Sequence, residues 1–162
     1  MTSRGVREAR SAALLALSLS TCTRPAVTRY RPIVRELTVT TVPLLVKESR
    51  TLYPFLAKDF APGGVLDGKE VYGFSPSTLT VVAGDTIHFT FVNPEDDLHT
   101  FVLPDFAVSL PGQRVTEATY VASHPGIYPI SCNVPAHTPM MSGQLVVLSP
   151  AAVAAEEPGG GH

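Results

Sequence analysis

The sequence predicts an all-β fold, a Greek-key antiparallel β-sandwich of about seven or eight short strands. Three observations point there. Short alternating apolar segments recur along the chain with turn signals between them. Glycine (12) and proline (15) are plentiful in 162 residues, while charged residues make up only 16%. No stretch holds apolar residues at helical spacing for the length of a long helix. A chain of this length suits one domain with a real core, and hardly two.

The first strand is "ELTVTTVPLLVK", Glu36 to Lys47, where Pro43 marks an edge position or a bulge. Residues 48–64 contain "YPFLAKDF", which reads as one helical turn closed by "APGG". "EVYGF" (70–74) and "STLTVV" (77–82) follow, and "AGD" (83–85) turns the chain. "DTIHFTFVN" (85–93) puts Ile87, Phe89 and Phe91 on one face. "NPEDD" (93–97) is a strong turn, and "LHTFVL" (98–103) leaves it. "QRVTEATYVA" (113–122) alternates again, "HPG" (124–126) turns, "IYPISC" (127–132) rises, and "GQLVVL" (143–148) closes the domain. The sandwich domain is therefore expected over residues 36–149, with a disordered tail at 150–162.

The N-terminus reads as an export signal over residues 1–21: Arg4, Arg7 and Arg10, then the short apolar "SAALLALSLS". It ends in "LSTC", which resembles the bacterial lipoprotein box, with Thr21 where Gly, Ala or Ser usually stands. Two outcomes stay open, a lipid anchor at Cys22 or ordinary cleavage after Ala26. Either way the domain is expected in the periplasm or outside the cell, and residues 22–35 read as a tether. Removing residues 1–21 takes three of the 12 basic and one of the 14 acidic residues, leaving a net charge of −4. That mild balance suits solubility and says little about partners. With no tryptophan and no Lys/Arg cluster interleaved with aromatics, nothing recommends nucleic acid as a partner.

With Cys22 beside the cleavage site, Cys132 becomes the lone thiol of the folded domain. In an oxidising compartment such a thiol is a liability unless something occupies it, although an inert buried cysteine is the plain alternative. Its neighbourhood, "SCNVPAHTPMMSGQLVVL" (131–148), adds His137 and the pair Met140 and Met141. Thiolate, imidazole and thioether together form the soft donor set that selects copper. A further ligand must come from elsewhere in the fold. His88 sits mid-strand opposite the phenylalanines, His124 lies in a turn and His162 ends the tail. His99 opens a strand after the "NPEDD" turn, at one end of the sandwich. Joined to Cys132 and His137 it completes a trigonal two-His, one-Cys set with a weak axial methionine, as a blue copper site requires.

"FSPSTLTVVAGDTIHFTFVN", "DDLHTFVLP", "HPGIYPISCNVPAH" and "MMSGQLVVL" together resemble the cupredoxins, the blue copper family of azurin and plastocyanin. The resemblance covers roughly residues 70–148 and includes the ligand order His, Cys, His, Met. It implies Met141 as the axial ligand, four residues after His137 and two before Gly143; Met140 is the second choice. It also implies a small apolar patch of Pro135, Ala136, Pro139 and Met140, through which His137 passes electrons to a transient redox partner. Thr100 departs from the Asn often found after the first ligand, whose side chain ties the ligand loops; its hydroxyl could make a shorter link. Ala136 stands where a binuclear copper centre needs a second cysteine.

The function expected is electron transfer by a mononuclear copper protein, monomeric and without enzymatic activity. The alternative is a copper carrier, storage or assembly protein. That role favours an exposed, methionine-rich site, whereas only Met1, Met140 and Met141 occur. An enzyme of this family would need a further His-rich copper site. The resemblance explains residues 36–69 least: they add a strand or cover the site.

Overall fold

Strands are set here by alternation. In Thr86–Asn93, Ile87, Phe89 and Phe91 are all buried while His88 faces solvent. The structure, a computed structural model, describes residues 29–156. The expected signal (1–21), Cys22, His162 and half of the expected tether (22–28) lie outside the described residues. In order the elements are β1 Val34–Leu45, α1 Ser49–Leu52, a 3-10 turn Pro54–Leu56, β2 Val71–Ser75, β3 Thr78–Val82, β4 Thr86–Asn93 and β5 His99–Leu103. Then come β6 Phe106–Leu110, β7 Arg114–Val121, β8 Gly126–Ser131, β9 Ser142–Leu148 and α2 Pro150–Glu156.

Two sheets face one another, ordered β2-β1-β4-β7 and β3-β9-β8-β5-β6. Phe101 of β5 joins them, its ring centroid 4.8 Å from Phe91, 5.4 Å from Phe89 and 5.5 Å from Phe74. Most pairs are antiparallel, but β1 with β4 and β3 with β9 run parallel. Parallel neighbours need long crossovers, so no hairpin in the sequence announces them. Among the described residues no helix is long and apolar enough to cross a membrane.

Several boundaries differ from the sequence reading. β1 starts at Val34, inside the expected tether, because the chain just before it is tied down. Asp85, wholly buried, accepts hydrogen bonds from the Tyr30 hydroxyl (2.6 Å), the Ile33 N–H (3.0 Å), the Val82 N–H (3.1 Å) and Arg35 Nε. β1 also lies between β2 and β4, so Pro43 is not on a sheet edge. It sits at a bulge beyond Thr40, the last residue paired with β4. β6 reads as loop in sequence because "FAVSL" is only five residues between Pro104 and Pro111; pairing with β5 across a tight turn makes it a strand. The tail expected at 150–162 begins instead as α2: Pro150 suits a first helical turn, alanines follow, and Ser149 Oγ accepts the Ala151 N–H.

Candidate metal centre

One end of the sandwich gathers the chemistry. β5 places His99 at its first residue, and the β5–β8 register (Val102 opposite Ser131) brings Cys132 alongside Thr100. From Cys132 to Met141 the chain folds back on itself through its own backbone. The His137 N–H bonds Val134 O (2.9 Å), the Met141 N–H bonds His137 O (3.0 Å) and the Cys132 N–H bonds Met141 O (3.0 Å). Thr138 Oγ1 adds a bond to Cys132 O (2.9 Å). Gly143 then lets the chain pass close to β3, since a Cβ there would stand 2.4 Å from Ser77 O.

His99, Cys132 and His137 meet in this frame, all buried. The two Nδ1 atoms are 3.1 Å apart, and Cys132 Sγ is 3.8 Å from His137 Nδ1. Nitrogen and sulfur donors bound at about 2.0–2.3 Å to one ion must stand roughly 3–4 Å from each other. The donor set therefore fits a single metal ion, and its two imidazoles and thiolate are the soft donors that suit copper.

The electrostatics agree with ligand duty. Burial pushes His99 down to about 4, with His137 adding to that effect and Asp97 opposing it. Burial lowers His137 as well, against Asp97 and Glu70. Both imidazoles are thus neutral at pH 7, each with a lone pair to offer.

Thr100 makes the shorter link. Its Oγ1 accepts the Asn133 N–H at 2.8 Å, and its own N–H points to Cys132 Sγ at 3.4 Å. The β5 start and the ligand loop are therefore joined beside the sulfur. The methionines divide sharply: Met141 is 1% exposed within the core, and Met140 is 39% exposed. His88 pairs with Glu36 on the outer sheet face, and His124 is exposed in its turn.

His137 departs from the sequence reading. Pro135, Pro139 and Met140 are exposed as an apolar patch would need, but His137 is only 2% exposed and does not reach the surface. Residues 69–72 lie across it. The Glu70 N–H bonds Ala136 O (3.0 Å), Lys69 Nζ bonds Pro135 O (2.8 Å), and the carboxylates of Glu70 and Asp97 come close to the His137 ring. Residues 36–69 therefore contribute a strand, while the cover over His137 comes from residues 69–72 at their end. Sequence reasoning also missed Tyr72, whose ring packs on both histidines. Its only signal was an aromatic at an inward position of "EVYGF".

The family model of the cupredoxin-like domain matches residues 67–147. No curated protein matches the chain in sequence. Among solved structures, auracyanin A, a blue copper protein from the green thermophilic photosynthetic bacterium Chloroflexus aurantiacus, is 19% identical, covering 71% of this chain and 99% of its own, with a TM-score of 0.47. A multicopper oxidase is 15% identical over 72% of this chain and 39% of its own, TM-score 0.50. A copper nitrite reductase from Nitrosomonas europaea is 20% identical over 72% and 42%, TM-score 0.47. The chain thus spans about two fifths of the oxidase and the reductase. With that match to its sequence, the paired sheets of its fold and a donor set suited to copper, the chain belongs to the cupredoxin-like family.

Proposed function

We propose that this chain binds one copper ion through His99, Cys132 and His137, with Met141 as a weak axial ligand, and relays single electrons outside the cytoplasm. The observation that carries this reading is the convergence of three buried donors, 3.1 and 3.8 Å apart, on one point. Copper, when bound, supplies a one-electron Cu(I)/Cu(II) couple. The chain supplies the rest. The closed backbone of the ligand loop and the Thr100 link hold the donors before any metal arrives, so little needs to rearrange when charge changes. Burial keeps water from the imidazoles, and the Thr100 N–H offers a hydrogen bond to the Cys132 sulfur that helps fix its position.

Delivery or storage of copper is the weaker reading. A carrier needs a site open to exchange, whereas His99, Cys132, His137 and Met141 are all enclosed. A catalytic role has less support still, because His88 and His124 join no metal-type cluster among the described residues. The relay is read as a monomer, exported by residues 1–21, with Cys22 as the candidate lipid anchor and a transient protein partner.

The test is the visible spectrum of the purified protein with Cu(II). An intense thiolate-to-copper charge-transfer band is expected; a colourless protein that retains only Cu(I) would favour the carrier. Met141→Leu should then move both the band and the reduction potential, and Met140→Leu neither. The reverse pattern would make Met140 the axial ligand.

A further inference from the structure

A histidine ligand ordinarily has its second ring nitrogen held by a carboxylate, a carbonyl or water, which fixes the tilt of the ring. Among the described residues His99 has no such partner: its Nε2 is fully buried, and none of their atoms bonds it. The torsion that sets imidazole tilt is intrinsically broad, so something else must hold the ring.

Tyr72 is placed to do so. Its ring lies edge-on to His99, centroids 4.5 Å apart, and tilted against His137 at 4.7 Å, while the two imidazoles are themselves 4.7 Å apart. Tyr72 is itself fixed at its far end, where its hydroxyl donates to Asp97 Oδ2 at 2.6 Å. Asp97 is steadied in turn. Asn93 Nδ2 donates to the backbone carbonyls of Asp97 (2.7 Å) and Leu110 (3.0 Å), and Asn93 Oδ1 accepts from Thr41 Oγ1 (2.7 Å). Leu110 is the strand partner of His99. A continuous set of buried and half-buried contacts thus runs from β1 through β4 to the faces of both histidines.

We propose that Tyr72, anchored by Asp97, is a positioning residue that clamps the His99 and His137 rings in the orientation a shared metal needs, the described residues offering no hydrogen bond to His99 Nε2. This rests on the copper reading above, but the clamp exists in the metal-free protein and can be tested there. β1 and β2 thereby acquire a task beyond completing a sheet, since β1 pairs with β2, and β2 carries Tyr72 onto the site.

The experiment compares the wild type with Tyr72→Leu, which removes the ring, and Tyr72→Phe, which keeps the ring but releases its far end. In the metal-free proteins the imidazole NMR signals of His99 and His137 should be single and narrow in the wild type. They should broaden or double in Tyr72→Leu, with an intermediate change in Tyr72→Phe. Cu(II) affinity should fall about 10–100-fold in Tyr72→Leu, as for loss of other groups that orient metal ligands. A purely structural tyrosine would lower the melting temperature and leave the imidazole signals and the affinity alone; that result in folded Tyr72→Leu overturns the proposal. If Tyr72→Leu does not fold, Tyr72→Phe decides: imidazole signals identical to wild type overturn it. If the wild type itself fails to take up Cu(II) as a coloured complex, the copper reading falls, and the metal-free signals still judge the clamp.

Discussion

Replacing Asp85 with asparagine should destabilise the domain by about 3–5 kcal/mol at pH 7, the range for breaking a buried ion pair from one side. The geometry explains why so small a change should matter. Oδ1 accepts from the Tyr30 hydroxyl and the Ile33 N–H, and Oδ2 from Arg35 Nε and the Val82 N–H. Whichever oxygen becomes NH2, two donors then face a donor. Burial would raise the Asp85 carboxyl, but the bonds from Ile33, Tyr30, Arg35 and Val82 outweigh it and bring it from the usual 3.8 to about 2. That difference corresponds to roughly 2 kcal/mol. Because the folded-state value is the lower one, the unfolded chain takes up the proton first. This stability is complete above about pH 4 and is lost as pH falls through about 2. Urea denaturation of both proteins at pH 7 and at steps from pH 5 to 2 measures both effects. A variant within about 1 kcal/mol of wild type at pH 7, or an equal acid loss in the two proteins, would refute the reasoning. The consequence reaches the candidate metal centre, since this anchor seats β1, β1 seats β2, and β2 carries Tyr72.

Other outcomes follow from the site and its frame. Thr100→Val should cost about 1 kcal/mol, the worth of the bond from Asn133, and should shift the charge-transfer band of the copper form; an unchanged melting temperature would deny the link between the ligand loops. Gly143→Ala should destabilise by about 1–3 kcal/mol, because the new methyl would press on Ser77 O at 2.4 Å; thermal unfolding with no loss would show that β3 and β9 can part freely. The metal-free protein should lose roughly 3 kcal/mol as pH falls from about 6.5 to 4: buried His99 resists protonation until about 4, while the unfolded chain accepts the proton near 6.5. Denaturation midpoints across that window test this, and a flat profile between pH 7 and 4 would contradict it.

Features that depend on near neighbours in the chain were legible from its letters. Alternation in "DTIHFTFVN" assigned Ile87, Phe89 and Phe91 to the inside and His88 to the outside, because a strand turns successive side chains to opposite faces. The soft donors of residues 132–141 were visible because they share one short loop, and the turn before His99 marked it as lying at an end of the sandwich. Tertiary structure alone decided what depends on residues far apart. The parallel pairing of β1 with β4 joins segments about fifty positions apart, and "FAVSL" becomes a strand only because β5 is beside it. The cover over His137 and the packing of Tyr72 on both imidazoles belong to the same class. Such contacts arise when sheets stack and loops settle over their ends, and no local pattern of residues encodes which distant ring will lie against which.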